Sequence, residues 1–140
     1  PAAADGPYIA LLDTGVAQAH PLIQPHLDEG DLHAADPAWS TGDSDGHGTQ
    51  MAGIALYGDL VEPLASSAEC PVPHRLESVV LLPPAGQTEA HLYGWVTANA
   101  VHAVETAQPG RRRIFTMMTT TDGTTSGRPS EWSATIDRLA

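Results

Sequence analysis

Three short apolar runs, separated by stretches of helical character, limit what this chain can become more than any other feature. Tyr8-Ile9-Ala10-Leu11-Leu12 stands between Gly6-Pro7 and Asp13-Thr14-Gly15. Val79-Val80-Leu81-Leu82 is stopped by Pro83-Pro84, and Ile114-Phe115-Thr116-Met117-Met118 follows Pro109-Gly110. Short apolar runs closed by turn residues read as buried strands. His47 to Tyr57 reads as a helix, apolar nearly all round and so buried, with Gly48, Ala52 and Gly53 allowing close backbone packing. From Ala90 onward, Leu92, Trp95, Val96, Ala103, Val104 and Ala107 fall on one helical face. Beyond a turn-rich piece from Thr121 to Gly127, Ser130 is placed to cap a last helix carrying Trp132, Ile136 and Leu139. Residues 17–44 read mostly as loop, with room for a short helix or strand, and residues 59–77 read as a second loop. Strands alternating with helices predict an α/β fold on a parallel sheet with right-handed crossovers.

Charge narrows the function classes. The chain has 140 residues, with 17 acids against 6 arginines and no lysine, for a net charge of −11. The one basic run, Arg111-Arg112-Arg113, reads as a solvated turn, so no nucleic-acid partner is expected. Cys70 is the only cysteine and lies in a polar stretch without a catalytic signature. No apolar run reaches the ~18 residues of a membrane span, and no localisation follows from the sequence. His20, His26 and His33 lie among Asp28, Asp31 and Asp36, at spacings that match no standard metal site, and read as a solvated polar loop. Trp39, Trp95 and Trp132 read as core or cleft-wall residues.

In an open parallel sheet, ligands gather at the carboxyl ends of the strands. Asp13 lies just past such an end, and His47 opens the next helix, which starts at the same edge. Topology therefore places a carboxylate and an imidazole together. A carboxylate accepting from one ring nitrogen fixes the tautomer and leaves the other nitrogen free as a base. The helix dipole disfavours imidazolium at His47, whereas Asp13 favours it.

The residues around these two carry a family resemblance. Ile9-Ala10-Leu11-Leu12-Asp13-Thr14-Gly15-Val16 resembles the Asp motif of subtilases, an apolar strand ending in D-T-G. Asp45-Gly46-His47-Gly48-Thr49-Gln50-Met51-Ala52-Gly53 resembles their His motif, G-H-G-T-x-M-A-G. Together and in this order they are highly specific. The resemblance implies a three-layer parallel-sheet subtilisin-like fold, truncated, with residues 1–140 as the N-terminal portion of a catalytic domain. It implies a serine endopeptidase with an Asp-His-Ser triad, of which Asp13 and His47 are present, and a polypeptide substrate. By the same analogy Gly86, Met118, Thr119 and Thr120 border the substrate cleft, where an extended peptide pairs through its backbone. No cofactor is evident. Calcium is implied by the resemblance alone, with no site located.

The family's nucleophile motif, G-T-S-x-A-x-P, has no match. Gly123-Thr124-Thr125-Ser126-Gly127-Arg128-Pro129 has an extra Thr and places Arg128 where a small residue belongs, so Ser126 reads as a turn residue. The Asn of the oxyanion hole is not recognisable either. The expectation is a chain inert by itself, belonging to a longer active peptidase, and self-associating through an exposed sheet edge. Two rivals stand beside it. One is a pseudopeptidase or interaction domain that keeps the fold. The other is a retroviral-type aspartic peptidase, whose active-site triplet the string Leu11-Leu12-Asp13-Thr14-Gly15 also resembles, but whose all-β fold has no place for these helices.

Overall fold

A computed structural model describes residues 6–119 and 127–140. Its sheet has four strands: β1 (Tyr8–Asp13), β2 (Leu32–Ala34), β3 (Arg75–Val80) and β4 (Arg113–Met117). They run parallel in the order β2-β3-β1-β4. The helices are α1 (His47–Tyr57), α2 (Val61–Ala65), α3 (Tyr93–Ala107) and α4 (Glu131–Leu139). This is the expected parallel α/β architecture, and it is not the all-β fold of an aspartic peptidase.

Three layers follow from the period of two along β1. Leu11 faces one side, where it packs with Val16, Ile23, Ala52, Leu56 and Leu76. Leu12 faces the other, where it packs with Val79, Val96, Ala100, Val101 and Val104. So α1 covers one face and α3 the other, and α4 lies against α3. Each fully buried Leu or Val contributes about 1.5–3 kcal/mol of transfer free energy. On the β4 side no further strand is paired among the described residues, and Ile114 is exposed there.

The mostly looped stretch of residues 17–44 does hold the short strand for which it had room: β2 pairs Leu32 with Ser78 and Ala34 with Val80, its three residues being too few to show a period. Elsewhere the structure corrects the sequence reading. The loop of residues 59–77 contains α2 and the start of β3. β3 begins at Arg75 rather than Val79, because Arg75, Glu77 and Ser78 break its apolar signal. Glu77 is nonetheless fully buried. Arg111 and Arg113 are not in a solvated turn: both bond the Glu77 carboxylate, and Arg111 also bonds Asp31 at 2.6 Å. Nor is the histidine-rich stretch simply solvated, since His26 and Asp31 are buried. In α3 the buried side is Gly94, Val96, Thr97, Ala100, Val101 and Val104, leaving Trp95 59% exposed. Gly94 and Thr97 are silent in hydropathy but meet α4: a Cβ on Gly94 would lie 2.7 Å from Thr135 Oγ1, and Trp132 Nε1–H donates to Thr97. Ser130 caps α4 as expected, accepting from the Ser133 N–H at 3.0 Å.

Helix α1 is only half buried. Gly48, Ala52 and Leu56 form the stripe that meets the sheet, while Ile54 is exposed. Of its two glycines, only Gly48 is needed for close approach, because a Cβ there would overlap the carbonyl oxygen of Gly15. Gly53 has open space around the same position. Gly48→Ala is therefore expected to lower stability by about 1–3 kcal/mol through overpacking. Gly53→Ala should raise it by about 0.5–1 kcal/mol through helix propensity. Urea unfolding midpoints of the two variants check this opposition in sign.

Candidate active site

The carboxyl end of β1 is held on both sides. The Asp13 carbonyl oxygen accepts from Leu81 N–H at 2.7 Å, which ties it to the chain leaving β3. The Asp13 side chain is 2% exposed, and its Oδ1 accepts the Thr14 N–H at 2.7 Å. Gly46, with φ of 95°, turns the chain in the left-handed region that favours glycine, and so presents His47 as the first residue of α1.

Topology and these two turns bring together residues 34 positions apart. His47 Nδ1 lies 2.8 Å from Asp13 Oδ1 and 3.0 Å from Oδ2. A carboxylate facing the ring with both oxygens accepts, so Nδ1 carries the proton and Nε2 has a free lone pair. Nε2 makes no hydrogen bond to any described residue, and the ring is partly open to solvent. The His47 pKa is raised above the ordinary 6.5: the Asp13 hydrogen bond acts first and its charge second, burial opposes them, and Asp45 and Asp43 add smaller upward effects. The opposing influences expected at this residue thus resolve in favour of Asp13.

A second carboxylate lies beneath the pair. Asp43 Oδ1 accepts from Thr14 Oγ1–H at 2.8 Å, Gly46 N–H at 2.8 Å and Asp45 N–H at 3.1 Å. Its Oδ2 accepts from Thr49 N–H at 2.9 Å and from the Thr49 hydroxyl. Burial pushes the Asp43 carboxyl upward. The bonds from the Thr49 hydroxyl and from the Gly46, Asp45 and Thr49 amides outweigh it and bring the pKa to about 2. What Asp43 contributes to stability is complete above the ordinary 3.8 and is lost as pH falls through about 2. Sequence reading missed this residue. Its one signal was an acid shortly before a helix start, the usual mark of a side chain that satisfies first-turn N–H groups.

A cleft of about 490 Å³ opens at the same strand edge, lined by Thr14, Asp45, Leu82, Gly86, Thr119 and Trp132 among others; Asp13 and His47 adjoin it through Thr14 and Asp45 but are not among its lining residues. Two of the expected cleft residues, Gly86 and Thr119, are thus brought to it. Met118 is not among its lining residues and packs against the cluster around Leu11. Thr120 lies outside the described residues, as does Ser126. Asp45 is the one charged side chain among the described lining residues. Trp132 lines the cleft, as its reading as a cleft-wall or core residue expects, whereas Trp95 lies neither there nor in the core.

Among the described residues no group of three or more His, Cys, Asp or Glu side chains could hold a metal ion, so none is assigned to calcium. No helix among them is long and apolar enough to cross a membrane.

No curated protein and no solved structure matches the chain significantly. The subtilase family model matches residues 4–140, which includes the buried aspartate, the histidine that opens α1 and every strand of the parallel sheet. With nearly the whole length covered, the chain belongs to the subtilase family of serine peptidases.

Proposed function

We propose that this chain supplies the general base, His47, and its orienting carboxylate, Asp13, to a serine endopeptidase with an Asp-His-Ser triad. The observation that carries the reading is the contact of both Asp13 oxygens with His47 Nδ1, at the strand edge where the cleft opens. In that arrangement Nε2 takes the proton of a serine hydroxyl as its oxygen attacks the peptide carbonyl. The resulting imidazolium is stabilised by Asp13, and it returns the proton to the departing amine.

The nucleophile is proposed to come from polypeptide outside these 140 residues, as is the oxyanion donor. Ser130 Oγ is occupied as a helix cap and bonds Ser133 Oγ at 2.8 Å, so neither is a free nucleophile beside His47. The 140-residue chain alone is then inert, since loss of the serine costs a subtilisin-type site about 10⁶-fold in kcat. The substrate is an extended polypeptide, bordered at the cleft by Gly86 and Thr119, with calcium playing no assigned part.

A fluorophosphonate probe tests this on the 140-residue chain and on a longer polypeptide that continues beyond Ala140. The expected result by mass spectrometry is one adduct, on a serine of the continuation, absent from the 140-residue chain and lost on His47→Ala. An adduct on the 140-residue chain would overturn the assignment of the nucleophile. No adduct on either would favour a pseudopeptidase that keeps the fold for binding.

A further inference from the structure

One carboxylate connects both arms of the catalytic pair. Thr14, which donates to Asp43, is the residue after Asp13. Gly46, which also donates to it, is the residue before His47, and Thr49 follows two residues later. The network closes on itself, because Thr14 Oγ1 accepts the Gly48 N–H at 3.0 Å and Thr49 Oγ1 accepts the Ala17 N–H at 2.9 Å. The backbones of the two loops meet where Gly48 lies on the Gly15 carbonyl and Gly15 on Gly42. Contacts between backbones at that distance fix position only if their register is fixed; Asp43 bonds both sides and also holds Thr14 and Thr49, the two hydroxyls that bond across directly.

We propose that Asp43 is a positioning residue of the Asp13–His47 pair, setting the register in which His47 Nδ1 meets both oxygens of Asp13. The inference rests on the reading of Asp13 and His47 as orienter and base. Asp43 touches neither the ring nor the cleft; its charge adds a small upward effect on the His47 pKa, and any effect on the ring's placement and tautomer passes through Thr14, Gly46 and Thr49. A helix anchor with no further role would lower stability and, through its lost charge, move the His47 midpoint slightly down, but leave the tautomer as it was. A positioning residue changes the tautomer as well.

The experiment is NMR of the histidine rings in the 140-residue chain, comparing wild type with Asp43→Ala, Asp43→Asn and, as a control, Asp13→Asn. Wild type should show His47 as one tautomer, protonated on Nδ1, titrating above 6.5. Asp43→Ala, folded by circular dichroism, should show a tautomer mixture and a midpoint moved down toward 6.5. Asp43→Asn should be intermediate: its Oδ1 still accepts from Thr14, Asp45 and Gly46, while its amide group faces the Thr49 donors. If Asp43→Ala does not fold, Asp43→Asn decides. In a polypeptide that carries the nucleophile, the same substitution should lower kcat by about 10²-fold with KM little changed, the scale of a small misplacement of a catalytic group. A wild-type tautomer in a folded Asp43 variant, with Asp13→Asn altered, would overturn the positioning role and leave the pair intact. No response to Asp13→Asn either would remove the pair itself, and the role of Asp43 with it.

Discussion

Glu77→Ala is expected to destabilise the fold by about 3–5 kcal/mol, the cost of removing one partner from a buried ion pair. Glu77 is fully buried, and its two oxygens accept from Arg113 Nε at 2.8 Å, Arg111 Nη1 at 2.9 Å and Arg113 Nη2 at 3.0 Å. The Arg113 side chain is itself only 3% exposed. Without the carboxylate, that guanidinium keeps Glu105 and the Gln108 carbonyl oxygen but loses its most buried partner. A domain of this size has about 5–15 kcal/mol in all, so the variant should lie near its unfolding threshold. Glu105→Ala is the control. Glu105 bonds the same arginine from a half-exposed position, and such pairs contribute about 1 kcal/mol or less. Urea midpoints should fall far for Glu77→Ala and little for Glu105→Ala; equal shifts would mean that the buried carboxylate is not what holds the arginines.

Asp13→Asn is expected to lower kcat by about 10⁴-fold in a polypeptide that contains the nucleophile, the loss seen when a triad carboxylate becomes an amide. The amide offers one acceptor oxygen where Asp13 offers two, and its NH₂ favours the ring tautomer with Nδ1 bare. The proton then resides on Nε2, the atom that has to accept one. The pH dependence should change with it. His47 titrates above 6.5 in the folded chain, so its bond to Asp13 stabilises the fold fully below 6.5 and loses that effect as pH rises through the raised value. Activity needs the neutral ring, so the acid limb of kcat/KM should lie above 6.5 in wild type and move down in the variant. A drop in kcat of less than tenfold, with the fold intact, would remove Asp13 as the orienting group.

The parts of this molecule that sequence made legible are those where chemistry and geometry share one local string. Asp13 follows its apolar strand directly, His47 opens its helix between two glycines, and topology alone brings both to one edge of the sheet. What stayed hidden depends on partners remote in the chain. Glu77 reads as the last residue of a loop until Arg111 and Arg113, more than thirty positions later, neutralise it inside β3. Arg111 and Arg113 read as solvated for the same reason. Gly94 and Thr97 carry no hydropathy signal, yet they form the seat of α4, and hydropathy puts Trp95 on the buried face in their place. Asp43 has a weak local signal as a helix-start acid, but its bond to Thr14 spans 29 positions.

β1 is the first strand in the sequence and lies between two later ones, with Tyr8 paired to both Arg75 and Arg113. Neither neighbour is present when β1 leaves the ribosome, and both pairings require long loops to close, a cost that grows slowly with sequence separation and slows folding. Asp13 and His47 are therefore both synthesised well before the scaffold that joins them is complete. A nascent chain holds both side chains before the sheet edge that brings them together exists, and the order of its strands sets when they can meet.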